Sequence, residues 1–232
     1  MTHSEPDEVR ARYLRRVDSI EPDRYSLLKP DVWHSVFERQ RAMLKLFAAH
    51  GFNSFTQTRL LEVGCGAGGN LLELLRMGFA PENLSGVELL PERFALARRA
   101  LPTAVTLHEG NAVQLQVAGR SLDIVLASTV FSSLLDDAFQ QQLADTMWRW
   151  LKPGGTVLCY DFTVDNPRNP DVRGVPLARV RALFPAGHIT HRRLTLAPPI
   201  ARAVTRLHPA LYTVFNALPV LRTHILCWIR KP

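Results

Sequence analysis

Apolar and polar positions along this chain change period several times, and the changes outline its elements. Between Asp31 and His50, apolar Val32, Val36, Met43, Leu44 and Phe47 recur at roughly helical spacing. This predicts a helix capped by Asp31 and ended by Gly51. Arg59–Val63 then reads as a short strand running into a run of glycines, and Asn70–Met77 as a helix closed by Gly78. Leu84–Leu89 is a second strand, and Pro91–Ala100 a helix with proline in its first turn. Ala104–His108 is a third strand, and Leu122–Ser128 is an apolar run suited to a strand buried on both faces. Asp136–Leu151 is a helix stopped by Lys152-Pro153-Gly154-Gly155, and Thr156–Phe162 is a fifth strand. Ile189–Leu196 and Thr223–Arg230 read as two more strands, with helical segments at Pro176–Phe184 and Pro199–Leu218.

Strands alternating with helices predict an α/β fold with a doubly wound, mostly parallel seven-stranded sheet that binds ligands at the carboxyl ends of its strands. The 232 residues suit one domain. That domain is expected over 31–232, with a helical insertion at about 197–218. Residues 1–30 are expected to form an N-terminal arm or lid, either loosely held or partly a short helix. There is no internal repeat or low-complexity segment.

Composition narrows the function classes. An apolar fraction of 47% is that of a soluble globular protein. Cys65, Cys159 and Cys227 lie far apart without a CxxC pair, which argues against a disulfide framework or zinc site and for a reducing cytosol. The first twenty residues are charged and lack the apolar core of a signal peptide, and Pro209–Leu221 is too short to cross a bilayer. The expected location is therefore cytoplasmic. The net charge of +7 is concentrated late: no acid follows Asp171, whereas ten of the 28 basic residues do. Either the tail meets an anionic partner, such as a phosphate, carboxylate or membrane surface, or its arginines simply face water.

The strongest local signal is Leu60-Leu61-Glu62-Val63-Gly64-Cys65-Gly66-Ala67-Gly68-Gly69. A strand entering such a turn lets a ligand approach the backbone closely. Gly64, Gly66 and Gly68 spell GxGxG; Gly64, Gly66 and Gly69 spell GxGxxG, the nicotinamide dinucleotide fingerprint. The glycines alone leave both open. Glu88, about twenty residues on at the end of the second strand, can accept hydrogen bonds from both hydroxyls of a ribose.

The segment Glu62–Gly68 resembles motif I of class I S-adenosylmethionine-dependent methyltransferases. Four further segments resemble later motifs of that family in the same order. They are Gly86-Val87-Glu88-Leu89, Glu109-Gly110-Asn111-Ala112, Asp123–Ser128, and Leu151-Lys152-Pro153-Gly154-Gly155. The resemblance spans about residues 58–165, and its collinearity sets the dehydrogenase reading second. It implies S-adenosylmethionine as cofactor. Gly64, Cys65, Gly66 and Gly68 would line the methionine and ribose portions, with Glu62 near the amino group. Glu88 and Leu89 would hold the ribose, Asn111 and Ala112 the adenine, and Ser128 would close the site from the fourth strand. Asn111 departs from the aspartate common in the family, yet an amide can still pair with the adenine amine.

Acceptor information lies beyond the fifth strand. The loop from Asp161 to Pro170 concentrates Asp, Asn and Arg between stiffening prolines, as a clamp on a polar substrate would, or as an ordinary surface turn would. Asn166-Pro167-Arg168-Asn169-Pro170 with Val172-Arg173-Gly174-Val175, and Leu221-Arg222-Thr223-His224, is similar to methyltransferases of bacterial surface-polysaccharide gene clusters. That second resemblance implies O-methylation of a saccharide, whether polymer, lipid-linked glycan or sugar precursor, with a small-molecule or quinone acceptor as the alternative. Asn166, Arg168, Asn169 and Arg173 would contact substrate, and Tyr25 would fold over the site as part of a lid.

A sugar hydroxyl is a poor nucleophile and profits from a general base. Asp161 is the first candidate, with His34 and Asp165 behind it. The acid expected just after the fourth strand in magnesium-dependent relatives is replaced by Ser128-Thr129, so no metal is expected. No base-flipping motif of the Asn-Pro-Pro-Tyr type is present, so no nucleic-acid partner is expected. The rivals are an NAD-dependent oxidoreductase and a non-catalytic module that keeps the cofactor pocket. In the C-terminal segment, Ile200, Val204, Leu207, Leu211, Phe215 and Leu218 at spacings of three or four would lie along a bilayer or dock on the sheet. The first case makes the protein peripheral on the cytoplasmic face of a membrane.

Overall fold

The computed structural model describes residues 4–17, 23–167 and 169–232. Among these residues seven strands, β1 (Leu60–Val63), β2 (Leu84–Glu88), β3 (Thr106–Glu109), β4 (Leu122–Ser128), β5 (Leu151–Phe162), β6 (His188–Leu196) and β7 (Arg222–Arg230), make one sheet in the order β3-β2-β1-β4-β5-β7-β6. The first five are parallel, and β7 runs antiparallel to both β5 and β6. Strand order reverses at β1, which pairs with β2 on one side and β4 on the other, so a crevice opens beyond its carboxyl end.

Among the described residues, eight helices cover the sheet: α1 (Glu5–Val17), α2 (Pro30–Ala49), α3 (Gly69–Met77), α4 (Pro91–Ala100), α5 (Asp137–Trp150), α6 (Leu177–Leu183), α7 (Pro198–Leu207) and α8 (Leu211–Asn216). Successive strand side chains point to opposite faces, which gives the sheet two cores. On one face Val157 and Cys159 pack with Met147 and Trp150 of α5, Val180 and Leu183 of α6, and Val9 of α1. On the other, Leu158 and Tyr160 pack with Leu46 and Phe47 of α2, Leu71 and Leu74 of α3, and Ala97 of α4. A smaller cluster of Leu196, Ala201, Val204 and Tyr212 seats α7 and α8.

Three local expectations are corrected. Asp31 does not cap α2: Lys29 occupies the cap, Pro30 is the first helical residue, and Asp31 sits in the first turn, where its charge suits the helix dipole. Leu151–Gly155 joins β5 instead of standing apart as a turn, because β4 and β7 supply partners, with an irregularity between Leu122 and Ile124. The helix expected over Pro199–Leu218 is two helices. Pro209 disfavours helical geometry in the residue before it, and His208 is extended (φ −162°, ψ 133°). Of the two alternatives for the N-terminal arm, its described residues 5–17 take the helical one, and α1 docks through a buried Arg12–Glu5 pair at 2.5 Å. Arg12 also donates to the Ser133 carbonyl, and Glu5 accepts from the Leu135 amide.

Candidate functional site

The glycine turn after β1 is built from backbone that only glycine adopts at ease. Gly64, Gly66 and Gly68 lie at φ 65°, 57° and 85°. A side chain on Gly68 would meet Leu101 at 2.8 Å, and one on Gly64 would meet Val130 at 2.9 Å. Gly69 differs. It is an ordinary helical residue with open space where a Cβ would stand. The dinucleotide fingerprint uses its third glycine for close helix–strand packing, which Gly69 does not need here. The constrained set is therefore GxGxG.

Two carboxylates flank this turn, and both are buried. Glu88 accepts from the Gly66 amide (2.7 Å) with one oxygen and from the Leu90 amide (2.9 Å) with the other. Each oxygen keeps a lone pair for a further donor, as a ribose diol requires. Glu62 is fully enclosed. Its Oε1 accepts from Asn70 Nδ2 at 2.6 Å, and its Oε2 has no partner. Burial pushes this carboxyl up to about 8, with the Asn70 amide and then the Arg39 guanidinium pulling the other way. A buried acceptor without a donor is costly, and a cationic amino group at Oε2 would satisfy it. The residues present thus fit a ligand that brings both a ribose and an ammonium.

The remaining cofactor candidates lie around the same edge. Cys65 is buried behind Gly86, and burial pushes its thiol up, leaving it an inert packing group. Leu89 is half-buried against the first core. Asn111 accepts from the Val113 amide and so shapes the turn that contains Ala112. Ser128 closes β4, with its hydroxyl 3.4 Å from Arg39 Nη1.

The acceptor candidates divide between two faces of the sheet. Asp161 is wholly buried on the α5 face, where Oδ2 accepts from the Ser132 amide and Oδ1 from its neighbour Phe162. Burial pushes it up to about 7, against the pull of hydrogen bonds from Ser132 and Phe162. There it pins the turn Phe131–Ser133 beneath the crevice. On the same face Asp165 and Arg173 line a cleft of about 500 Å³ with Asp137, Gln140 and Arg179. Asp165 accepts from the Gly174 amide, and Arg173 and Arg179 both pair with Asp137. Asn169 accepts from the Asp171 amide, and Asn166 caps the same loop through its carbonyl. Arg168 lies outside the described residues. Tyr25 stands in a turn before α2, and the residue is 71% exposed.

His34 lies on the α2 face, stacked between Trp33 (3.8 Å) and Tyr212 (4.7 Å), with Nε2 buried and unpartnered. Burial lowers its pKa, while a hydrogen bond to the Pro209 backbone opposes the shift. Around it the structure assembles a group that the motifs do not flag. Arg39 of α2 donates to Asn70 Oδ1 (2.7 Å) and sits 5.3 Å from the Tyr160 ring centroid. The Tyr160 hydroxyl meets Thr195 Oγ1 at 2.6 Å. Glu38 accepts from the Thr195 amide, the Tyr212 hydroxyl and Asn216 Nδ2. Sequence reasoning missed these because they come from α2, β5, β6 and α8, far apart in the chain. The one available signal was Asn70 following the glycines directly.

Residues 60–155 match the model of a methyltransferase domain family. No curated protein matches the chain. Among solved structures, the N-methyltransferase NodS from Bradyrhizobium japonicum WM9, in complex with S-adenosylhomocysteine, aligns with a TM-score of 0.68. The identity is 17%, over 97% of this chain and 98% of that one. The geranyl diphosphate C-methyltransferase from Streptomyces coelicolor A3(2), in complex with magnesium, geranyl diphosphate and S-adenosylhomocysteine, aligns at 0.66. Its identity is 16%, and both chains are covered in full. An S-adenosylmethionine-dependent methyltransferase from Mesorhizobium loti aligns at 0.60 and 17%, over 82% of this chain and 98% of that one. The shared feature at these identities is the α/β fold with its seven-stranded sheet.

Proposed function

We propose that this chain, whose residues 60–155 match a methyltransferase domain, uses S-adenosylmethionine to methylate an oxygen of a saccharide, carried on a lipid or an anionic precursor. The observation that carries this reading is the polar, partly aromatic group on the α2 face beyond β4 and β5. The half-buried Ser128 hydroxyl and Arg39 guanidinium lie beside the His224 ring, which stacks on the buried Tyr160 tied to Thr195, so hydrogen-bonding groups stand next to a flat ring. A sugar presents that combination of hydroxyls and C–H faces. In this reading Glu62 holds the cofactor's amino group, Glu88 its ribose, and Asn111 with Ala112 its adenine. When bound, the cofactor supplies an electrophilic methyl on sulfur. The chain's own share is alignment and exclusion of water, which supplies much of the catalysis of an in-line displacement.

The lipid link is supported by the surface of α7 and α8. Val204, Ile200 and Leu211 pack inward, but Leu207, Val214, Leu218 and Val220 stay more than half exposed, and Arg206 beside them faces solvent. No helix among the described residues is long and apolar enough to cross a membrane. An exposed apolar and basic rim suits a bilayer interface, with about 1 kcal/mol per arginine near anionic lipid. The test follows labelled methyl into extracts fractionated as nucleotide sugars, lipid-linked glycans and polymer. Label in the lipid-linked fraction is expected, and label confined to small non-saccharide molecules would overturn the proposal.

A further inference from the structure

Five elements meet beyond the ends of β4 and β5 on the α2 face. Ser128 ends β4, and Tyr160 is its register partner on β5. His224 on β7 pairs with Phe162, and its ring stacks on Tyr160 at 5.1 Å with 15° between the planes. Arg39 links this group to the cofactor edge through a relay: its guanidinium donates to Asn70, whose amide donates to Glu62. His224 Nδ1 lies 3.0 Å from the Thr223 hydroxyl.

Backbone strain marks the same place independently. Thr129 and Thr195 are β-branched residues at φ 56° and 64°, a region such side chains avoid. Both are tied to Tyr160. The Thr129 amide donates to its carbonyl at 2.7 Å, and the Thr195 hydroxyl meets its phenol. Among the described residues, Arg120 is the single other non-glycine with positive φ. Strain of this kind persists where surrounding structure fixes a working geometry.

We propose that the half-buried Ser128, Arg39 and His224, backed by the buried Tyr160 ring, seat the acceptor's reacting hydroxyl, and that His224 is the catalytic base that takes its proton. The inference rests on the saccharide-methylation reading for the identity of the acceptor. In the tautomer required, Nδ1–H donates to the Thr223 hydroxyl and Nε2 keeps a free lone pair. The hydroxyl oxygen forms a bond to the methyl carbon while the carbon–sulfur bond breaks and leaves its electron pair on sulfur. The hydroxyl proton passes to Nε2, giving an imidazolium.

Burial holds His224 down to about 4, with the Arg39 guanidinium adding to the shift, so the ring is neutral at pH 7. The groups facing it are Arg39 on α2 and Tyr160 on β5, while its register partner on β6 is the uncharged Leu194. Low basicity suffices, because the hydroxyl becomes strongly acidic as its oxygen bonds to carbon. Asp161 lies on the other face with both oxygens already accepting backbone amides.

The test uses the full chain in three arms. Nitrogen-15 NMR of the imidazoles should show His224 as the neutral Nδ1–H tautomer at pH 7; an Nε2–H tautomer would overturn the proposal whatever the acceptor is. His224→Gln should bind S-adenosylhomocysteine as the native chain does while transfer into the accepting fraction falls about 10²–10⁴-fold; undiminished transfer overturns the assignment. Thr223→Val, a smaller change that keeps the ring, should shift the tautomer ratio and slow transfer about tenfold. If the native chain labels no saccharide fraction, the acceptor reading fails, and the NMR arm still decides the role of His224.

Discussion

The two halves of the sheet solve recognition in different ways. Beyond β1 and β2, the ligand edge is made of backbone: three left-handed glycines, the amides of Gly66 and Leu90, and two carboxylates placed by their strands. Beyond β5, β6 and β7 it is made of side chains brought together from α2, β5, β6, β7 and α8. A backbone site tolerates few changes and suits one ligand. A side-chain site can be rebuilt position by position, which is what an enzyme needs when the cofactor stays fixed and the acceptor varies.

The comparison breaks most sharply at Glu88. On the proposed placement of the ribose, Glu88→Ala would remove two charge-assisted hydrogen bonds to it, about 1.5–3 kcal/mol each, and it also removes the carboxylate that fixes the Gly66 amide. Affinity for S-adenosylhomocysteine should fall at least about 10²-fold by calorimetry. Unchanged affinity would mean the ribose lies elsewhere. On the acceptor side, Tyr160→Phe loses the bond to Thr195, at about 1 kcal/mol. The expected result is an acceptor KM raised several-fold with cofactor affinity unchanged. A cofactor defect from this variant would merge the two halves into one site.

A further effect is on stability, and its sign is opposite for the two buried carboxyls and for His224. Glu62 and Asp161 are pushed up to about 8 and about 7 from 4.5 and 3.8. Each contributes stability that is full below its unfolded value and is lost as pH rises through its folded one. His224 is held down to about 4 from 6.5, so its contribution is full above 6.5 and lost as pH falls through 4. Scanning calorimetry of the ligand-free chain should therefore show Tm declining between pH 5 and 8.5. Glu62→Gln should flatten part of that decline. A profile identical to the native one would show that the Glu62 carboxyl titrates normally.

Legibility in the sequence follows the same division. The strand-turn-helix at Leu60–Gly69, Glu88 and the order of the elements could be read because backbone chemistry concentrates its requirements in contiguous residues. The structure also resolves the GxGxG ambiguity, which turns on the empty space at Gly69 and on nothing in the residue letters. Arg39, Tyr160 and Thr195 could not be read, since each is an ordinary residue in its own element and gains meaning through partners 31 to 157 positions away. The break at His208-Pro209 was written in the sequence, but the helical spacing of the apolar residues on either side concealed it.

The central claim is that the glycine turn and its two acids form a site for a ribose-bearing sulfonium donor with a cationic amino group. Titrating the chain with S-adenosylhomocysteine and with NAD at pH 7, in two buffers of different ionisation enthalpy, tests it directly. Glu62 is largely protonated before binding, because burial holds it at about 8. An ammonium at Oε2 should drive its proton off. The account predicts saturable binding of S-adenosylhomocysteine with proton release into the buffer, and no binding of NAD. Binding of NAD, or binding of S-adenosylhomocysteine with no net proton exchange, would contradict it.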